Sequence, residues 1–258
     1  MGNQPKRKFD ESKKECIMMW SGEYIVGAND VDGNRVVSAS HILRYMQDAA
    51  NWQMERSGLS YDTLFTERGL AFVLAGMRLS AYAPIYSHQT ITVQSWPCPS
   101  RGMTFLRCYR ILRENLVIAE ATSTWALVGV QDKKLHRVSE MGDIYGAEPP
   151  LALDFPGRMK LPDGLSWSLV GEHTVTYADI DMNGHMNNTR YPDMLCGFLG
   201  SMQGKRVISM VLHFQSEAPL GETLKVYCAS ADGTYYLRTV RANGATNVAA
   251  EILLEDIE

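Results

Sequence analysis

The chain has 258 residues, with 25 Lys and Arg against 29 Asp and Glu, a formal net charge of −4. That acidic balance argues against broad nucleic-acid binding, which needs clustered cations to neutralise phosphates. A hydrophobic content of 45% excludes a chain disordered throughout, and five scattered cysteines (Cys16, Cys98, Cys108, Cys196, Cys228) form no C-x-x-C pair, so they read as reduced intracellular thiols rather than a disulfide framework or a structural zinc site.

In chain order, residues 1–16 (MGNQPKRKFDESKKEC) are charged and lack the apolar stretch of a signal peptide, so they read as a disordered tail. No apolar run approaches the roughly 18–20 residues of a membrane span. A cytoplasmic protein without membrane or nucleic-acid partners is expected. A short strand-like run at Tyr24-Ile25-Val26 leads into Asp30-Val31-Asp32-Gly33-Asn34. Ile42, Tyr45, Met46, Ala49 and Trp52 then recur at helical spacing, with Gly58 as a stop. Strands are predicted at about 71–82, 89–96, 103–113 and 116–130. The stretch 131–170 is rich in charge, Pro and Gly and reads as a connector.

The same order then returns. Thr174-Val175-Thr176-Tyr177 is strand-like and leads into Asp179-Ile180-Asp181-Met182-Asn183, a second D-x-D-x-N lying 179 − 30 = 149 positions after the first. A helix capped by Asn187 or Asn188 follows, carrying Tyr191, Leu195 and Phe198 or Leu199, with Pro192 tolerated in its first turn. Strands are predicted at about 206–217, 222–230, 234–241 and 246–255. Ala83-Pro84-Ile85 answers Ala218-Pro219-Leu220, which makes Tyr82 the counterpart of Glu217, and the Gln89–Val93 run answers Glu222–Val226. Turns such as Asp232-Gly233 and Asn243-Gly244 point to antiparallel sheets. The chain therefore reads as two diverged copies of one unit: tail 1–16, first unit 17–140, linker 141–170, second unit 171–258.

A calcium loop would need a glutamate at the twelfth position of the motif; that position holds Arg190, or His41 in the first copy. No G-x-S-x-G, G-x-G-x-x-G or P-loop occurs. Cys196 lies 11 residues beyond His185, about three helical turns away, so a thiol nucleophile is not expected. What survives is Asp181, Asn183 and His185 at alternating positions of a strand-to-helix junction, where free backbone N–H groups can hold a developing oxyanion. Asp179 and Asn188 read as caps. The first copy has Val36 in place of His185, which predicts one working site per chain.

The run DIDMNGHMNNTRY resembles the signature of acyl-acyl carrier protein thioesterases, D-x-N-x-H-x-N-N-x-x-Y ahead of the second hotdog helix. The resemblance covers nearly the whole chain. It implies an α+β fold of two tandem hotdog units, each a curved antiparallel sheet wrapped around a long helix. It also implies that Asp181, Asn183 and His185 are catalytic, together with Glu217 in HFQSEAPLGE, a residue that would otherwise read as a strand-end surface charge. Plant members place a Cys directly after that Glu; here Ala218 stands there, which removes the residue of a cysteine-nucleophile route and favours carboxylate-based hydrolysis.

The expected activity is hydrolysis of an acyl-acyl carrier protein thioester to a free fatty acid, a step of lipid metabolism and fatty acid biosynthesis. Asp181 acts directly or on water, Glu217 assists, and no metal or organic cofactor takes part. Met46, Ala49, Ala50, Trp52, Val73, Ala75 and Met77 are candidates for the acyl slot in the first unit. Arg101, Arg107, Lys133, Lys134 and Arg137 are candidates for a basic face toward the acidic carrier protein, and a homodimer is compatible with the chain. The competing readings are an acyl-CoA thioesterase on the same fold, a non-catalytic acyl-binding protein and, more weakly, a dehydratase.

Overall fold

Apolar alternation places the eight long strands within five residues of where they lie in the computed structural model, which describes residues 19–144, 148–157, 159 and 161–257. The expected tail at 1–16, with Cys16, falls outside the described residues. The first half runs β1 (Trp20–Ile25), α1 (Ala39–Arg56), a π-helical turn (Thr63–Glu67), β2 (Leu70–Ala81), β3 (Thr90–Arg101), β4 (Thr104–Arg113) and β5 (Leu116–Gly129). The connector carries β6 (Leu135–His136) and a 3-10 turn (Val138–Ile144). The second half runs β7 (Ser168–Thr174), a 3-10 turn (Asn188–Arg190), α2 (Tyr191–Cys196), β8 (Lys205–Phe214), β9 (Thr223–Ala231), β10 (Thr234–Val240) and β11 (Thr246–Asp256).

These strands form one antiparallel sheet in the order β1-β3-β4-β5-β2-β8-β11-β10-β9-β7, with the short β6 paired to β5. The second five repeat the first five in mirror order, so the two units meet at β2 and β8. Five residue pairs join them, from Gly76–His213 to Ser80–Ser209. Joining at these strands removes two edges that would otherwise expose unpaired backbone groups.

Ser38 starts α1 because its hydroxyl accepts the His41 N–H, and Gly58, at φ +73°, follows its end. Ile42, Tyr45, Met46 and Ala49 are buried as their spacing predicts. Trp52 is not: it stays 51% exposed, and Gln53 takes the buried place in the last turns. Successive helical residues are about 100° apart, so a pattern that slips by one residue over three turns leaves the core face.

The second helix differs most from expectation. In place of a long helix there is one 3-10 turn and the six residues of α2. Three of the four strand-like residues expected at 174–177 also lie beyond β7, which ends at Thr174 and begins at Ser168, inside the expected linker. The length of the difference can be read from equivalent bridges. Val36 pairs with Tyr86 in the first unit and His185 with Pro219 in the second, an offset of 185 − 36 = 149 before the helix and 219 − 86 = 133 after it. The second unit is therefore sixteen residues shorter between its motif and the end of β8.

Candidate active site

The motif loop is built by its own short side chains. Asp181 Oδ1 accepts the Asn183 N–H at 2.8 Å, and the Asp181 N–H donates to the His185 carbonyl at 3.1 Å. Gly184 sits at φ +80°, a conformation that few other residues tolerate. The Met186 N–H donates to the Ala218 carbonyl at 2.9 Å, which ties the loop to the segment leaving β8. His185 and Glu217 therefore meet, with Nε2 3.5 Å from Oε1. Glu217 is 59% exposed and His185 27%.

Asn183 is held from the other unit. The Tyr61 hydroxyl donates to its Oδ1 at 2.5 Å. Burial pushes the Tyr61 pKa up, and the nearby Asp181 charge adds to that shift, so the phenol stays protonated and remains the donor. With Oδ1 occupied, the amide N–H groups of Asn183 remain for an acceptor in the cleft. Tyr61 was missed in the sequence because it lies in a non-periodic segment, 122 residues from its partner. Asn187 caps the 3-10 turn that leads into α2, its Oδ1 accepting the Thr189 N–H. Asn188, expected as a cap, instead lines the cleft. Asp179 does close its loop, accepting from the Thr176 N–H and hydroxyl.

Asp181, Asn183, His185 and Glu217 all border one cleft of about 730 Å³ that reaches into the first unit. Of the seven acyl-slot candidates, Ala50 and Val73 line it. The other five are placed elsewhere. Met46, Ala49 and Met77 are buried in the core, Trp52 is exposed, and Ala75 is exposed at a register shift between Leu74 and Gly76. The helix stripe that faces the cleft is Gln47, Ala50, Asn51 and Met54, one residue round from the stripe that packs on the sheet.

The first unit repeats the loop without counterparts of His185 and Glu217. Asp32 Oδ1 accepts the Asn34 N–H at 2.8 Å, and the Val37 N–H donates to the Ile85 carbonyl. By this register Pro84, not Tyr82, stands where Glu217 stands, and Val36 stands for His185. Asn34 is consumed structurally: its amide donates to the Met202 and Lys205 carbonyls and accepts from the Gly204 N–H. The cleft beside this loop is smaller, about 300 Å³. Its helical wall comes from the start of α1, through Ala39 and Ile42, and from the short α2, through Asp193 and Cys196. The larger cleft is walled by the second half of α1 and by Tyr61 and Phe65, the part of the unit that the second copy lacks. The sixteen-residue difference between the units thus accompanies the difference in size between the two clefts.

Cys196 lines the smaller cleft, and burial pushes its thiol up to about 12. Cys228 is half-buried on β9 with its pKa raised by burial. Neither borders the larger cleft. Among the basic candidates, Lys133 lines that cleft, while Arg101, Lys134 and Arg137 are exposed. Arg107 is not on a basic face at all: it is 3% exposed and belongs to the cleft wall, because residue 107 lies on the inward face of β4 between Phe105 and Tyr109.

Comparisons with known proteins agree with this architecture. Residues 18–145 match the family model described as acyl-ACP thioesterase N-terminal domain, and residues 166–255 match the acyl-ACP thioesterase C-terminal domain. Oleoyl-acyl carrier protein thioesterase 2, chloroplastic, of Arabidopsis thaliana is 30% identical over 189 residues, covering 66% of this chain and 51% of that protein. The oleoyl-acyl carrier protein thioesterase of Coriandrum sativum is 27% identical over 200 residues, covering 70% and 53%. The chain thus spans about half the length of the curated relatives it matches. A solved acyl-ACP thioesterase from Bacteroides thetaiotaomicron superposes with a TM-score of 0.83 at 20% identity, over 94% of this chain and 100% of that one. The 12:0-ACP thioesterase from Umbellularia californica gives 0.79 at 15% identity, over 93% and 98%. These likenesses show the fold: α+β, two tandem hotdog units.

Proposed function

Because the chain belongs to the acyl-ACP thioesterase family, we propose that it hydrolyses acyl-acyl carrier protein thioesters to free fatty acid, using Asp181, Asn183, His185 and Glu217. The observation that carries this reading is the convergence of all four residues on one cleft deep enough for an acyl chain. The Asn183 amide, with its oxygen held by Tyr61, donates to the thioester carbonyl. His185 and Glu217 hold and polarise water. In one route Asp181 takes the proton of that water, hydroxide adds to the carbonyl carbon, and the proton passes to sulfur as the C–S bond breaks. In the other Asp181 attacks the carbonyl carbon, the thiol leaves with a proton from the polarised water, and the hydroxide so formed cleaves the mixed anhydride to fatty acid and free Asp181. Single turnover in ¹⁸O-water separates the two routes, since the water route labels the fatty acid at once and the nucleophile route labels Asp181.

The acidic carrier docks on the exposed Arg101, Lys133, Lys134 and Arg137. Among the described residues no helix is long and apolar enough to cross a membrane, and a cytoplasmic site of action fits the unpaired thiols. The test is linear release of fatty acid at catalytic protein concentration, with carrier and coenzyme A thioesters of equal chain length compared. Preference for the carrier supports the reading. Preference for coenzyme A moves the enzyme to the rival substrate, and release limited to one equivalent per chain makes it a binding protein.

Two smaller effects follow from the same geometry. Tyr61→Phe removes one hydrogen bond worth about 0.5–1.5 kcal/mol, so kcat/KM is expected to fall roughly 2–10-fold with the melting temperature nearly unchanged. Steady-state kinetics beside a thermal melt checks this, and unchanged kinetics would separate Asn183 orientation from turnover. Replacing Cys196 and Cys228 together by Ala is expected to leave substantial activity in the folded fraction, with some loss of stability from the buried Cys196 site. Inactivation with a preserved melt would restore a thiol mechanism.

A further inference from the structure

A buried cation lines the cleft. Arg107 Nη1 donates to Ser95 Oγ at 3.0 Å and Nη2 to Gln53 Oε1 at 2.8 Å. Among the described residues no carboxylate forms an ion pair with it. A guanidinium has five N–H donors in a planar fork suited to a carboxylate, and two neutral acceptors do not offset its removal from water. The cation is also far from the motif loop. Arg107 pairs with Ser123, Ser123 with Met77, and Met77 with Leu212, so three strand spacings, roughly 14 Å across the sheet, separate it from β8. The same cleft is also lined by Ala50, Met54, Phe72, Val73 and Leu74. One cleft thus holds Asp181, Asn183, His185 and Glu217, apolar surface, and a positive charge set three strands away from β8.

We infer that Arg107 is a specificity-determining residue that receives oxygen at the far end of the acyl chain, a terminal carboxylate or hydroxyl, so that the preferred substrates are ω-oxygenated acyl thioesters. This rests on the thioesterase reading above and deepens it. A plain alkyl chain reaching the same depth sets its methyl group against a desolvated guanidinium and offers no acceptor. Sites built to hydrogen-bond a substrate group discriminate strongly against analogues that lack it.

The test uses the full chain and three thioesters of equal length on one carrier: plain alkyl, ω-hydroxy and ω-carboxy. At least one oxygenated arm is expected to exceed the alkyl arm in kcat/KM on the order of 10²-fold. Which arm leads distinguishes the neutral from the anionic ligand. Arg107→Met should abolish the preference, bringing the three arms to similar kcat/KM, and Arg107→Lys should keep part of it. If Arg107→Met does not fold, the wild-type ranking stands alone, joined by the shift in melting temperature caused by a free dicarboxylic acid against a monocarboxylic acid of equal length. An equal or higher kcat/KM for the alkyl arm in the wild type overturns the inference and leaves the thioesterase reading intact. Failure to turn over any of the three overturns both.

Discussion

Glu217→Ala is expected to lower kcat on the order of 10²-fold or more while leaving the melting temperature almost unchanged. The residue is 59% exposed, and its one ion-pair contact is with His185 at 3.5 Å. Exposed pairs of this kind contribute little to stability, so truncation should cost within about ±0.5 kcal/mol. Loss of a positioned acid–base partner in the transition state commonly costs about 10²–10⁴-fold. Glu217→Gln serves as the control: it keeps volume and a hydrogen-bonding end but not the charge, and should fall close to the Ala variant if the charge polarises water. Steady-state turnover of an acyl-carrier thioester, paired with a thermal melt, reads both quantities. Near-normal turnover in a folded Glu217→Ala protein would remove Glu217 from the site.

The separation of function from stability at Glu217 also explains why it was hard to see in the sequence. Strand and helix periodicity report burial, and burial is what makes Ile42, Met46 and Ala49 or the alternating residues of β4 legible. An exposed carboxylate at a strand end carries no such signal, so Glu217 was reached through the resemblance of its motif. Of the acyl-slot candidates only Ala50 and Val73 line the cleft, for a related reason. Periodicity finds the apolar face of α1 but not the neighbouring stripe of Gln47, Ala50, Asn51 and Met54, which is mixed in polarity because it borders a cleft. Tyr61 and Arg107 depend on contacts across long stretches of chain, from Tyr61 to Asn183 and from Arg107 to Gln53, which local pattern cannot encode. The counterpart of Glu217 slipped by two residues, to Tyr82, because matching Ala-Pro pairs suggested a register that the bridges at Tyr86 and Pro219 do not keep.

Asp181→Asn and Asp32→Asn should part company completely. Each replaces a carboxylate by an amide of the same shape in a loop of the same geometry, with Oδ1 accepting the N–H two residues on at 2.8 Å in both. At position 181 the change removes the carboxylate proposed as base or nucleophile, which shares one cleft with His185, Asn183 and Glu217, so kcat is expected to fall by roughly 10²–10⁴-fold or more. At position 32 the surrounding groups are Val36 and Pro84, and Asn34 is tied to the Met202 and Lys205 carbonyls. There Asp32 serves the turn alone, and its amide should cost no more than a lost cap, about 0.5–2 kcal/mol, with activity per folded molecule preserved. The sixteen-residue difference between the units sharpens the contrast, since the first-unit loop faces a cleft of about 300 Å³ rather than 730 Å³. Chemical denaturation supplies the stability axis, and kcat normalised to folded protein supplies the other. Equal losses of kcat in two folded variants would mean that both halves share the chemistry and that the single-site reading of the duplication is wrong.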